Sequence, residues 1–339
     1  MAAPILQVSG LNLSYHTRHG AVKAVDDVSF DLLPGQVMGL VGESGSGKTS
    51  IAICLMRLLP DNARISAGRV LLDGQDLLAM APEEIRSYRW RRISMIFQAA
   101  MNSLDPVYRV GDQIMEAIET HEPELTRQEA QERINGLFEL VGLDPQLARH
   151  YPHEYSGGMR QRAVIAMSLA CQPDVVIADE PTTALDVIVQ DRILRRLKEI
   201  QGGLNMSMVY ITHDLAVVAE VTDRIGVMYA GKLVELGNTA DVFRSPIHPY
   251  TSVLLSVFPN IRGPKHELVT LPGEPPNLID PPPGCRFHPR CPYATDACRT
   301  EEPPVVDRGS HWAACWNPLP EQTNSPETAG TSSTEERPQ

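Results

Sequence analysis

The sequence predicts an α/β domain with a parallel sheet, followed by a loop-rich appendix, and three observations carry that reading. Short apolar runs alternate with longer amphipathic stretches through the first 258 residues. One of those runs leads through a glycine-rich loop into a helical stretch. Proline density then changes: of 28 prolines, 14 lie between Pro259 and Pro320. The 339 residues, 42% of them hydrophobic, leave room for about two domains with a real core.

The apolar runs Val37–Val41, Ile93–Phe97, Val175–Ala178, Met208–Ile211 and Ile225–Met228 read as buried strands. Val189, Ile193, Leu197 and Ile200 recur at helical spacing, so one apolar stripe faces the sheet between two of those strands. A weaker helical zone covers about residues 110–148, where Ile114, Ile118, Ile134, Leu137 and Leu140 alternate with polar residues; it reads as a helical insertion. Residues 259–316 hold too much proline to build a core of their own. Asn317–Gln339 is rich in Ser, Thr, Glu and Pro without periodicity and reads as a disordered tail.

Composition excludes several classes. With 30 basic and 42 acidic residues the formal charge is −12, a poor match for coating nucleic acid. No run of about 18 apolar residues exists to span a bilayer. Met1-Ala2-Ala3-Pro4 lacks the basic start and apolar stretch of a secretory signal. The expectation is a soluble protein of a reducing compartment.

Gly42-Glu43-Ser44-Gly45-Ser46-Gly47-Lys48-Thr49 matches G-x-x-x-x-G-K-[ST], directly after the run Val37–Val41 and before the amphipathic Ser50–Leu59. Glycines let the backbone turn its N–H groups onto a phosphate, and the following helix start adds a favourable dipole. Lys48 would reach the β- and γ-phosphates, and the Thr49 hydroxyl would bind Mg²⁺. A second element fits it. The run Val175–Ala178 ends in Asp179 and Glu180: the first is placed to hold Mg²⁺, the second to polarise an attacking water.

Over several motifs the chain resembles the ATP-binding cassette (ABC) ATPases. Tyr155-Ser156-Gly157-Gly158-Met159, ahead of a helix over Arg160–Ala170, resembles their signature. Gln98 resembles the Q-loop glutamine, serine-free Ala184-Leu185-Asp186 the D-loop, and His213 the switch histidine. Tyr15 stands where the family has an aromatic that stacks on adenine. The resemblance implies a P-loop NTPase of the ABC type: a RecA-like parallel-sheet core with an antiparallel β subdomain and a helical subdomain over about 100–170, within residues 1–258. It implies that Gly42, Ser44, Gly45, Ser46, Gly47, Lys48, Thr49 and Ser50 contact ATP, and that Thr49, Gln98 and Asp179 hold Mg²⁺. Glu180 and His213 are the implied catalytic residues. Ser156, Gly157, Gly158 and Asp186 would meet an ATP bound by a partner subunit.

Finer features resemble the ATPases of oligopeptide and dipeptide importers: Tyr151-Pro152-His153-Glu154 before the signature, Ile96-Phe97-Gln98-Ala99-Ala100-Met101-Asn102-Ser103-Leu104-Asp105-Pro106, and four cysteines near the C-terminus. Met159 in place of the usual glutamine is similar to the D-type of the two non-identical ATPases in such importers. The implied partners are that second ATPase, two transmembrane permease subunits and an extracytoplasmic solute-binding protein, with the chain on the cytoplasmic face of the membrane. Peptides are the implied cargo; oligosaccharides, glutathione and nickel chelates are moved by similar importers. A non-transport ABC ATPase is the rival, against which stand the single cassette and the acidic charge.

Of six cysteines, Cys54 and Cys171 sit singly in apolar stretches and read as small core residues. Cys285, Cys291, Cys298 and Cys315 crowd one stretch, without the paired C-x₂-C spacing of zinc ribbons or the tight ferredoxin run. The related importer ATPases imply a 4Fe–4S cluster there. Zinc on the same thiolates, with His288 or His311 replacing one ligand, and no metal at all are the alternatives.

Overall fold

The computed structural model describes residues 3–98, 103–182, 185–256 and 273–321. Strands β1 (Leu6–Thr17) and β2 (Gly20–Leu32) open the chain as a hairpin. β3 (Val37–Val41) and α1 (Lys48–Leu55) follow, with the glycine-rich loop between them. β4 (Ala63–Leu72) then returns to the free side of β1, and the two-residue β5 (Gln75–Asp76) completes an antiparallel sheet in the order β2-β1-β4-β5. Leu6 and Val8 face its core, and so do Leu11 and Leu13, but the register shifts between the two pairs. That bulge breaks the period-two pattern by which such a strand is recognised in sequence.

Past α2 (Pro82–Tyr88) comes β6 (Ile93–Ile96), one residue shorter than its sequence suggests, with Phe97 already 41% exposed. Helices α3 (Val110–His121) and α4 (Arg127–Leu140) form the expected insertion. The Thr126 hydroxyl and Glu129 carboxylate cap α4 reciprocally. α5 (Gly157–Ser168) leads to β7 (Val175–Asp179), α6 (Val187–Leu204), β8 (Ser207–Ile211), α7 (Leu215–Val221) and β9 (Arg224–Tyr229). Strands β6, β7, β8, β3 and β9 lie side by side in that order, all parallel.

Both faces of this sheet are buried, and residue parity assigns the faces. Val176 and Ala178 on β7, with Met208 and Tyr210 on β8, pack against α3 to α6. Val175, Ile177, Val209, Ile211, Met38 and Leu40 turn to the other side, onto α1 and the antiparallel sheet. The stripe predicted for α6 is buried at Ile193, Leu197 and Ile200, joined by Leu194. No helix among the described residues is long and apolar enough to cross a membrane.

β10 (Lys232–Asn238) runs antiparallel to β9 and is followed by α8 (Thr239–Arg244) and α9 (Pro249–Ser256). The appendix then departs from the expectation of separate loops. After α10 (Asp296–Thr300), its strands β11 (Val305–Asp307) and β12 (Trp312–Ala314) extend the parallel sheet's antiparallel edge, β12 pairing with β10 at Glu235↔Ala313 and Leu236↔Trp312. Lacking a core, the segment borrows one: Phe287 is buried among Tyr229, Tyr250 and Val242. The start of the predicted tail is held too. The Asn317 amide donates to the Tyr293 carbonyl (2.7 Å), the Leu319 N–H donates to the Ile247 carbonyl (2.8 Å), and Arg308 pairs with Glu321 (3.6 Å). The rest of that tail, residues 99–102 of the Q-loop stretch, and Ala184 lie outside the described residues.

Candidate functional site

The loop Gly42–Thr49 leaves β3 at the centre of the sheet and enters α1 at Gly47, which occupies the cap position in a left-handed conformation with no side chain capping the helix. The helix start is therefore open to an anion. Sterics explain two of the glycines. A Cβ on Gly42 (φ +146°) would lie 2.1 Å from the Met228 carbonyl oxygen, and one on Gly47 (φ +105°) 2.2 Å from that of Ala24. Ser44, Gly45 and Thr49 are exposed, Ser50 is half-buried, and Ser46 is buried. The Lys48 ammonium crosses the loop, donating to the carbonyls of Gly42 and Glu43 (2.8 Å each) and the Ser46 hydroxyl (3.1 Å). Burial lowers its pKa, opposed by the carboxylates of Glu180, Asp179 and Glu43.

Asp179 ends β7 beside this loop, 1% exposed, and neither of its carboxylate oxygens finds a hydrogen bond. Burial raises its pKa, and the nearby Thr49 hydroxyl opposes the shift. A desolvated carboxylate facing a hydroxyl and an ammonium suits a divalent cation, which would satisfy the orphaned oxygens. Glu180 takes a left-handed backbone (φ +47°) and so turns out of the strand. Its carboxylate accepts from the Gln98 amide (2.8 Å) and lies 2.9 Å from His213 Nδ1. Gln98 therefore engages Glu180, not the Asp179 and Thr49 pair with which it was expected to hold Mg²⁺. His213 is 67% exposed and the Glu180 side chain 15%, so the group faces an open surface.

The remaining predicted residues lie elsewhere. Tyr15 is half-buried on β1, paired across to Val22 and Ala63. The Ser156 hydroxyl caps α5 by accepting from the Met159 N–H (3.3 Å), so that helix starts at Gly157, three residues before its predicted start. Asp186 caps α6 through the Val189 N–H (3.0 Å). Ser156, Gly157, Gly158 and Asp186, with Arg162 and Arg192, line a cavity of about 480 Å³. Among the described residues, no hydrogen bond or ion pair joins the signature to the glycine-rich loop.

Cys285, Cys291, Cys298 and Cys315 come together in the appendix, where the thiol of Cys315 feels the charge of the other three. Burial pushes Cys285 up to about 11 and Cys315 up to about 12. The Thr295 N–H (3.4 Å) and the Asn317 side-chain amide (3.5 Å) donate to the Cys298 sulfur. Among the described residues, however, no group of three or more His, Cys, Asp or Glu side chains is placed to hold a metal ion. The expected metal cluster is thus not displayed, and the histidine substitutes are engaged elsewhere: His288 Nδ1 with the Cys285 carbonyl (2.9 Å), His311 Nε2 with buried Glu235 (2.6 Å). Sequence reading missed Glu43 and Arg290, which pair across the loop and the appendix. Nothing local in either stretch signals that contact.

The ABC transporter family profile matches residues 25–183, and that of the oligopeptide/dipeptide transporter C-terminal region matches 234–298. The dipeptide transport ATP-binding protein DppD of Bacillus subtilis (strain 168) is 46% identical over 316 residues, covering 92% of this chain and 94% of its own. The oligopeptide transport ATP-binding protein OppD of Salmonella typhimurium (strain LT2) is 44% identical over 319 residues, covering 94% and 95%. Among solved structures, a bacterial ABC transporter cassette determined as a dimer superposes with a TM-score of 0.62 at 24% identity, over 69% of this chain and 98% of that one. The cbiO1 protein of Clostridium perfringens gives 0.61 at 27% identity, over 71% and 90%.

Proposed function

The chain belongs to the ATP-binding subunits of oligopeptide and dipeptide ABC importers, and from that premise we propose which of its residues bind, orient and cleave ATP. It is an ABC ATPase coupled to peptide transport.

The N–H groups of Ser44, Gly45, Ser46 and Gly47 and the open start of α1, with Ser50 behind them, cradle the phosphates, and Lys48 exchanges loop carbonyls for phosphate oxygens. Thr49 and Asp179 hold Mg²⁺, the cation that the orphaned Asp179 oxygens suit, and Gln98 reaches it only by leaving Glu180. Bound there, Mg²⁺ neutralises charge on the β- and γ-phosphates. Glu180 orients the attacking water, His213 steadies the Glu180 carboxylate and senses the γ-phosphate, and Tyr15 stacks on adenine. One observation carries the reading: Asp179 and Glu180, adjacent at the end of β7, divide into a buried cation ligand facing Thr49 and a carboxylate held by Gln98 and His213.

Ser156, Gly157, Gly158 and Asp186 serve the nucleotide of a partner, because they line their own cavity away from this chain's loop. That partner is a second, non-identical ATPase. Two permease subunits and an extracytoplasmic solute-binding protein complete the importer, with this chain on the cytoplasmic face. The four cysteines hold an iron–sulfur cluster, with zinc as the alternative. The Thr295 N–H and the Asn317 amide, both directed at the Cys298 sulfur, favour a thiolate there. A cluster of several metal atoms accepts thiolates spaced more widely than a single ion with bonds of about 2.3 Å would.

Glu180→Gln should keep nucleotide affinity within about twofold and lower steady-state ATPase of the assembled importer by at least about 100-fold. Turnover near the wild-type rate would mean that Glu180 does not orient the water, or that the partner's site carries the activity.

A further inference from the structure

The appendix grips the glycine-rich loop through one side chain. Arg290, immediately before Cys291, sends its guanidinium to the Glu43 carboxylate as a fork: Nη1 to Oε2 at 2.7 Å and Nη2 to Oε1 at 3.0 Å. Nη1 also lies 3.3 Å from the Tyr229 hydroxyl, and the guanidinium stands 5.8 Å over that ring. The Arg290 side chain is only 6% exposed. Glu43 is the second residue of the loop. Its carbonyl accepts from Lys48, its N–H donates to the Tyr250 hydroxyl (3.0 Å), and its carboxylate acts on the Lys48 ammonium. A second arginine of the same segment, Arg286, bonds the Ala230 carbonyl and the Asp26 carboxylate. The N–H of Gly231, the next residue, donates to the Ser46 carbonyl (3.0 Å). Both arginines lie between Cys285 and Cys291: Arg290 touches the loop directly at Glu43, and Arg286 holds Ala230, whose neighbour Gly231 bonds the loop at Ser46.

A carboxylate is a costly neighbour for a phosphate, since it repels the anion that the loop must hold. A bidentate guanidinium cancels that charge and fixes the plane of the carboxylate, which a lysine does less well. We propose that Arg290 is a positioning residue for nucleotide binding: it neutralises and orients Glu43 so that the loop and Lys48 can meet the phosphates, and it thereby ties nucleotide affinity to the folded state of the four-cysteine segment. The proposal rests on the reading of Gly42–Thr49 as the phosphate loop.

The test is equilibrium titration of the full-length chain with the magnesium complex of a non-hydrolysable ATP analogue, folding being checked by thermal melting. Arg290→Ala should weaken binding about tenfold, by a margin that shrinks as salt is added. Arg290→Lys should fall between. Adding Glu43→Gln to Arg290→Ala should restore affinity to within about threefold of wild type, a rescue that loss of packing alone would not permit. Should Arg290→Ala fail to fold, Glu43→Gln alone still decides. Its side-chain carbonyl oxygen still accepts from Arg290, which keeps its Tyr229 contact, while the negative charge is gone, so it should bind at least as tightly as wild type. Unchanged affinity in Arg290→Ala, no rescue in the double variant, or weaker binding by Glu43→Gln would each overturn the proposal. Lys48→Ala separates the premise from the inference. If it too binds normally, the phosphate-loop reading fails; if it loses binding while Arg290→Ala does not, only the proposal fails.

Discussion

His248 is closed in on every side, 1% exposed, with the rings of Phe287 and Tyr250 at 5.7 and 6.5 Å. Its Nδ1 accepts from the Tyr250 N–H (3.0 Å), and its Nε2 has no partner. Burial lowers its pKa from 6.5 to about 4, with Glu235 opposing. The unfolded chain therefore binds this proton at a pH where the folded chain refuses it. Stability from a neutral His248 is present above pH 6.5 and is lost as pH falls toward 4, by about 3 kcal/mol at most. Urea unfolding at a series of pH values should show that decline in wild type and a flatter one in His248→Asn, which keeps an acceptor for Tyr250. Equal slopes would mean that other groups carry the acid limb. Elsewhere single residues serve two ends. Ser156 and Asp186 cap helices here, and the same polar tips are the ones read as facing a partner's nucleotide.

At the scale of elements, the cysteine segment is stitched into the molecule. β12 joins β10, Phe287 enters the core, Arg290 holds the glycine-rich loop through Glu43, and Arg286 ties down Ala230 and Asp26. What the segment lacks is apolar mass of its own, so a metal bound only by its folded form would stabilise it strongly. Anaerobically purified full-length protein should contain about four irons with matching sulfide. Serine at Cys285, Cys291, Cys298 or Cys315 should remove the metal and expose residues 273–321 to proteolysis. Cys54→Ser and Cys171→Ser should retain it, since those thiols sit in the core, 0% and 4% exposed. One zinc per chain would favour the alternative; neither metal would end the metal reading.

At the scale of the whole molecule, the signature lines a cavity that no residue of the glycine-rich loop enters, and under the proposed function each is half of a shared site. Val187 and Ile188, 81% and 66% exposed beside Asp186, give the signature side an apolar margin suited to a protein partner. The isolated chain should therefore hydrolyse ATP slowly and gain at least about tenfold in turnover when the second ATPase subunit is added. Full, concentration-independent activity of the chain alone would contradict a shared site.

The sequence by itself determined the parallel strands, the phosphate loop and the carboxylate pair at the end of β7. Each is written in neighbouring residues: an apolar run, a glycine spacing, two acids after a strand. The antiparallel sheet escaped residue-by-residue reading because a bulge between Val8 and Leu11 interrupts its alternation. Other features depend on residues that meet only when the chain folds. Glu180 finds Gln98 across 82 positions and His213 across 33, and Glu43 finds Arg290 across 247. The start of the tail shows the same limit, since Asn317–Glu321 has the composition of disorder and is held by Tyr293, Ile247 and Arg308. Periodicity and motifs report what a segment can form alone; which charge neutralises which, and what covers an edge, is decided by long-range packing.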